Sequence, residues 1–274
     1  MIQYCVGPDP EANAKHLETL ISEAAEAGCA FVLTPEASNI IQPDRALLNQ
    51  TVGHAEDDPV FVMAHRVAAK FRIILCLGSL LVQGGSDGKL VNRQILLDSN
   101  GAVINSYDKI HLFDVSIGDG QHYGESEIFT PGEEAILSAL PDSEAVLGHT
   151  ICYDVRFPGL HQTLAMAGAN VLLVPAAFTQ KTGRAHWHTL LKARAIETGS
   201  WLLAAGTCGE HAGERRTYGH SCVINPWGEI VAEIASEDTE GVLMHLLDFD
   251  EVTAARQAIP ALENARTFHL PSSL

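Results

Sequence analysis

Positive charge is scarce in this 274-residue chain: 17 Lys and Arg stand against 34 Asp and Glu, a formal balance of −17 that stays negative even if all 13 histidines are protonated. Non-specific nucleic-acid affinity comes from Lys and Arg displacing phosphate counterions, so the deficit argues against a nucleic-acid partner, and it argues equally against an anionic membrane surface. No stretch approaches the ~20 apolar residues of a membrane span, and the opening MIQYCVGPDPEAN has neither a basic leader nor a long apolar run. The six cysteines (Cys5, Cys29, Cys76, Cys152, Cys208 and Cys222) are widely scattered and form no CxxC pair, which excludes the usual zinc cage and a disulfide framework. Together these absences predict a cytoplasmic protein with no metal, and they leave the sequon at Asn49 without weight.

What is present is an α/β alternation. Asp9-Pro10 starts an amphipathic helix whose Leu17, Leu20, Ile21 and Ala24 recur at helical spacing, and Gly28 closes it. A short apolar strand runs from Ala30 to Leu33. A second helix, from Asp58-Pro59 through Lys70, leads into RIILCLGSLLV, which has the continuous apolar character of a strand buried on both faces. Helix and strand signals alternate from there, ending in three short strands within HSCVINP, EIVAEI and GVLMHLL. The expectation is a single layered α/β domain over residues 1–274, with a C-terminal helix and exposed tail from about 249.

One internal echo bears on the site. AGCAFVLTPEA (27–37) and AGANVLLVPAA (167–177) share a helix end, Gly, strand, Pro, Ala pattern. Ligands of α/β sheets sit beyond the strand C-termini, so the echo points to Glu36 and Ala176-Ala177-Phe178 as neighbours; any helix-to-strand unit can also produce it. Other signals fail. Gly84-Gly85-Ser86-Asp87-Gly88 fits GxSxG but is followed by a second strand, so it reads as a hairpin turn. Gly118, Gly120 and Gly124 miss the dinucleotide spacing by one residue, and His186 and His188, two apart on a helix, point in different directions and do not share a metal. No cofactor motif survives.

Three reactive residue types remain. Cys152 lies between an apolar strand and a helix beginning near Phe157-Pro158, where helix-start N–H groups would favour a thiolate and the next backbone N–H can face an oxyanion. Alone, such a cysteine is more often a core residue. Lys109 sits in the largely apolar SYDKIHLFD, and Glu36 follows a strand and Pro35 at the mouth marked by the echo.

TPEAS, YDKIHLFD and GHTICYDVRFPG, in this order and at this spacing, resemble the nitrilase (carbon-nitrogen hydrolase) superfamily over nearly the whole chain. GES (124–126), TGRAHWHTLLKARAIET (182–198), YGHS (218–221) and NPWGEIVAE (225–233) are similar to its Nit branch of amidases, and AAGTCG followed by YGHS looks more like the deaminated glutathione amidases than the ω-amidases. Family members usually carry several more residues in the first strand. The resemblance implies a four-layer α-β-β-α sandwich with two mixed sheets between helix layers. It also implies a homodimer paired through helices, no cofactor, a Glu36–Lys109–Cys152 triad and a second pocket glutamate, Glu125. It places Arg156, Phe178 and Thr182 around the 2-oxo acid end of a substrate; Arg156 could instead form an ion pair with Asp154 or Glu197.

The residue types suit that chemistry. Glu36, its pKa raised by burial, can take the Cys152 proton; the thiolate attacks an amide carbon, and Lys109 with the Tyr153 N–H holds the oxyanion. The expected substrate is a small anionic amide: deaminated glutathione first, 2-oxoglutaramate second, with N-carbamoyl or nitrile hydrolysis and an inactive binding scaffold as the remaining readings. The charge distribution agrees. Between Val155 and Ile196 there is no acidic residue, while Arg156, Lys181, Arg184, Lys192 and Arg194 all fall there, so a stretch of +5 follows the cysteine in an otherwise acidic chain.

Overall fold

The computed structural model describes residues 1–116 and 123–270. Strands in chain order are β1 (Ile2–Gln3), β2 (Phe31–Leu33), β3 (Ile74–Gln83), β4 (Leu90–Leu97), β5 (Val103–Asp108), β6 (Asp114–Val115), β7 (Tyr123–Gly124), β8 (Leu137–Ala139), β9 (Val146–His149), β10 (Val171–Leu173), β11 (Trp201–Ala204), β12 (Cys208–Glu210), β13 (Arg216–Tyr218), β14 (Cys222–Ile224), β15 (Ile230–Glu233) and β16 (Gly241–Val242). The helices are α1 (Pro10–Glu26), α2 (Arg45–Thr51), α3 (Pro59–Phe71), α4 (Pro158–Met166), α5 (Gln180–Thr198), α6 (Phe249–Ala258) and α7 (Ala261–Asn264).

Two mixed sheets form the centre. One has the order β2-β3-β4-β5 and the other β15-β14-β11-β10-β9-β8. Successive residues of a strand face opposite ways, and that period divides the apolar residues into three cores. Val32, Leu75, Leu77 and Leu97 pack outward against Leu17 and Ile21 of α1 and Met63 and Val67 of α3. Their neighbours Leu33, Cys76 and Leu96 face inward against Leu147, Val171, Leu173 and Leu203 of the second sheet. Leu172, Leu202 and Ile224 then face outward onto Leu164 of α4 and Trp187 and Leu191 of α5. The result is the expected α-β-β-α order. β3 is buried along nearly its whole length because both of its faces are covered, which is why its sequence is apolar without alternation.

Helix starts follow the local chemistry. Asp9 and Asp58 accept hydrogen bonds from backbone N–H groups at the heads of α1 and α3, and each helix carries Pro in its first turn. The Gly-rich stretch after β3 is a hairpin turn into β4, so Ser86 is no nucleophile. Gly118 and Gly120 lie outside the described residues.

Three histidines are buried among the described residues, and one of them ties the two sheets together. His149, at the end of β9, bonds through Nδ1 to the Gln94 side-chain oxygen of β4 and accepts at Nε2 from Ser138 of β8 at 2.9 Å. Burial pushes His149, His161 and His211 down to about 4. Above pH 6.5 both folded and unfolded chains hold them neutral. Between 6.5 and about 4 the unfolded chain takes up protons that the fold refuses, so stability falls with pH and levels off below that window. Each histidine contributes on the order of 3 kcal/mol to that loss, and the three together rival a typical domain's stability. Urea unfolding at pH 7.5 and 5.0 is expected to show a markedly lower midpoint at 5.0; equal midpoints would contradict this.

Candidate active site

Glu36, Lys109, Cys152 and Glu125 come from four separate segments and converge at the strand ends. The chain turns sharply after β2: Ala37 adopts φ +54 and its N–H is held by Ser79 Oγ at 2.9 Å. Gly78 of β3 passes so close that a Cβ there would lie 1.7 Å from the Thr34 carbonyl oxygen. This tight approach aims the Glu36 side chain between the two sheets. Its Oε1 accepts from Lys109 Nζ and Asn92 Nδ2, both at 2.9 Å, and its Oε2 accepts from the Ala177 N–H at 2.7 Å. The echoed segments therefore do meet: β2 and β10 are the two copies, and Ala177 of the second copy bonds Glu36 of the first.

Lys109 follows β5 and is only 1% exposed. Its ammonium bridges Glu36 and Glu125, whose oxygens lie 3.0 and 2.8 Å away, and Glu125 Oε2 also accepts from the Phe113 N–H at 2.8 Å. Cys152 stands at φ +47, a strained conformation for a non-glycine residue, in a single turn (Cys152–Arg156) ahead of α4. That turn is pinned from several sides. The Cys152 N–H donates to Pro175 O at 2.9 Å, and the Arg194 side chain donates to Val155 O at 2.8 Å. The fully buried Asp154 accepts from the Ile151 N–H, the Tyr107 hydroxyl and His111 at 2.7–2.8 Å.

The protonation states differ from the expectation drawn from sequence. Burial works to raise Glu36, but the Lys109 charge, with the hydrogen bonds from Lys109, Ala177 and Cys152, outweighs it and holds the carboxyl below its ordinary range. Burial and the charges of Glu36 and Glu125 push the Cys152 thiol up against the pull of Lys109. Lys109 is raised well above its usual value: burial opposes the charge, and Glu125, Glu36 and Cys152 more than compensate. The helix-start N–H groups that favour a thiolate are outnumbered by two facing carboxylates. The resting site is carboxylate, ammonium and neutral thiol.

Two connected spaces open onto this centre. An inner recess lined by Glu36, Glu125, Cys152, Tyr153, Phe178 and Thr182 among others has about 20 Å³, room for about one water-sized group. An outer chamber of about 380 Å³ continues from it between Ile40, Leu81, Asn92, Tyr123 and Phe129. Phe178 and Thr182 both line the recess beside Cys152. Arg156 does not line either space. Its guanidinium lies over the Phe178 and Tyr153 rings, at 5.3 and 5.9 Å from their centroids, and both Nη atoms are 3.3 Å from His186 Nδ1. Neither ion pair considered for it forms: Asp154 is engaged as above and Glu197 pairs with Arg194.

Sequence reasoning missed two residues of these walls. Asn92 of β4 orients Glu36, and Arg215, between Glu214 and β13, lines both spaces. His186 and His188 do diverge, His186 toward Arg156 and His188 toward Glu233. His188, His220 and Glu233 nevertheless gather three potential metal-ligand atoms within 4.8 Å, where both rings hydrogen-bond one Glu233 oxygen at 2.8 Å and so satisfy one another.

Known proteins match most of the chain's length. The carbon-nitrogen hydrolase family profile covers residues 1–257. A protein of Yersinia enterocolitica named deaminated glutathione amidase is 34% identical over 97% of this chain and 92% of its own length. The NitFhit protein of C. elegans superposes with a TM-score of 0.88 at 35% identity over 97% of this chain, which spans 64% of that longer chain. Nit3 of Saccharomyces cerevisiae superposes with a TM-score of 0.80 at 28% identity, covering 93% of this chain and 92% of its own. With the two-sheet sandwich and the Glu–Lys–Cys convergence already in place, these matches show that the chain belongs to the carbon-nitrogen hydrolase family and is a hydrolase acting on amide carbon–nitrogen bonds.

Proposed function

We propose that the protein is a cysteine-dependent amidohydrolase that cleaves the amide of an anionic 2-oxo acid, with deaminated glutathione as the preferred substrate. One observation carries the chemistry: Cys152 lines one small recess together with Glu36, a carboxylate that a buried ammonium holds ionised. Glu36 takes the thiol proton as sulfur attacks the amide carbon. Transfer and attack proceed together, because a free thiolate would face two carboxylates in a dry site. Lys109 directs its three N–H groups at Glu36 Oε1 and the two Glu125 oxygens, so its longer bond to Glu125 Oε1 yields as the ammonium, with the Tyr153 N–H, takes up the developing oxyanion. Glu36 then returns the proton to the departing amine, leaving an acyl thioester on Cys152. Water, deprotonated by the same carboxylate, hydrolyses the thioester. Glu125 keeps Lys109 in place. Phe178 and Thr182 border the acyl group, and Arg156 adds positive charge behind the Phe178 and Tyr153 rings.

The spaces favour one substrate over the other. The 2-oxo acid acyl group, common to both substrates, is too large for the recess and extends into the chamber, whose volume of about 380 Å³ leaves room for a leaving group larger than ammonia as well. Deaminated glutathione releases a dipeptide, Cys-Gly, alongside 2-oxoglutarate, whereas 2-oxoglutaramate releases only ammonia. Assaying both is expected to give a kcat/KM about tenfold or more higher for deaminated glutathione, the scale of a few added contacts in the transition state. The reverse order would favour the ω-amidase reading, and turnover of neither would remove both.

The same reading makes the protein a cytoplasmic homodimer. All six cysteines are free thiols, and no helix among the described residues is long and apolar enough to cross a membrane. Met166 at the end of α4, Ile196 of α5 and Ile259 after α6 are exposed apolar side chains around one groove, a surface suited to a second copy. Sedimentation is expected to give a dimer that Ile196→Asp weakens; a wild-type monomer at micromolar concentration would remove the pairing.

A further inference from the structure

Arg215 stands in the active-site walls without a direct carboxylate partner. Its Nη2 donates to the Ala177 carbonyl at 3.1 Å, its Nε is buried without a hydrogen-bond partner, and no carboxylate among the described residues pairs with it. It is also the only Lys or Arg among the described residues lining the recess and the chamber, and it stands in the walls of both. Glu36 and Glu125 both hydrogen-bond Lys109 and not Arg215, although two carboxylates on one ammonium leave that cluster one negative charge in excess. The Arg215 side chain is half-buried, and a carboxylate ligand would gain a charge-assisted contact there that no protein group now makes. The backbone here is fixed: the His211 N–H donates to Arg215 O at 2.7 Å, and Gly213 at φ +73 packs so closely on Pro43 that a Cβ would meet it at 2.9 Å.

Asn92, which also lines the chamber, offers no second contact of this kind: its Nδ2 is spent on Glu36, and its Oδ1, like Arg215 Nε, is buried out of reach of the cavity. Half-buried Arg215, lining both spaces, is the cationic group they present to a ligand, and a carboxylate is the partner it suits.

We propose that Arg215 determines specificity by binding the substrate's carboxylate where the recess and the chamber share their walls. The assignment rests on the amidase reading for its substrate class, but its test does not. Alkylation of Cys152 by iodoacetamide is to be measured against rising concentrations of the dicarboxylate 2-oxoglutarate, in the wild type and in Arg215→Met and Arg215→Lys. The concentration giving half protection is expected to rise about tenfold or more in Arg215→Met, the loss of a charge-assisted hydrogen bond. It should rise less in Arg215→Lys, which keeps the charge but not the fork and controls for folding. In parallel, kcat/KM should fall at least several-fold more for a carboxylate-bearing amide than for a neutral one, mostly through KM. Unchanged protection in Arg215→Met, equal losses on both amides, or no protection of the wild type would each overturn the assignment. Arg215-dependent protection in a protein that hydrolyses no amide would instead uphold it and count against the amidase reading.

Discussion

Cys152→Ala is expected to lower amide hydrolysis by a factor on the order of 10⁴ or more, because no other group near Glu36 can form the covalent intermediate. Cys152→Ser should be nearly as inactive. A serine hydroxyl is far harder to deprotonate than a thiol, and Glu36, held below the ordinary carboxylate range, is a weak base for it. Both variants should remain folded. The turn that carries Cys152 is held by Asp154, Arg194 and Pro175, none of which bonds the sulfur, so the stability change should stay within about 1 kcal/mol. Activity assays paired with thermal melts separate these effects: loss of turnover with an unchanged melt is the expected pair.

Lys109→Met combines the second-largest loss of activity with a large loss of stability. The ammonium is the counter-ion for Glu36, itself 4% exposed, and for Glu125. Removing one member of a buried charged cluster leaves the others uncompensated, at a cost of about 3–5 kcal/mol, or roughly 10 °C in melting temperature for a chain of this size. The pH dependence identifies the cause. In the wild type Glu36 is held below its unfolded value, so its contribution is present at neutral pH and is lost in acid. Without Lys109, burial dominates and the carboxyl moves above its unfolded value, so its destabilisation is relieved as pH falls. The stability gap between wild type and variant should therefore narrow from pH 7 to pH 5. A gap that holds constant would mean that lost packing, not the stranded carboxylates, is responsible.

Much of the site was legible because its residues sit in short, ordered motifs. Glu36 follows Pro35 at a strand end, Cys152 begins a turn after β9, and the repeated helix-Gly-strand-Pro pattern correctly paired Glu36 with Ala177. The layers were legible for the same kind of reason, since alternation and apolar runs record which faces are covered. Long-range electrostatics were not. The pKa directions of Glu36 and Cys152 depend on how many charges face each group, and Glu125 and Lys109 reach them from distant segments. Arg215 lies in the run GERR, which reads as a solvated charged loop, and Asn92 is one polar residue in a strand. Nor does any local signal announce that β1 pairs with β16, joining Ile2 to Val242.

Every step proposed here passes through an acyl group carried on Cys152, which rapid acid quenching of the enzyme during turnover of deaminated glutathione or 2-oxoglutaramate, followed by intact and peptide mass spectrometry, would detect. The predicted result is a mass increment equal to the substrate's acyl portion on the peptide containing Cys152, removed by hydroxylamine and absent from Cys152→Ala. Turnover by Cys152→Ala at a rate near that of the wild type, or an acyl group found on another residue, would contradict it.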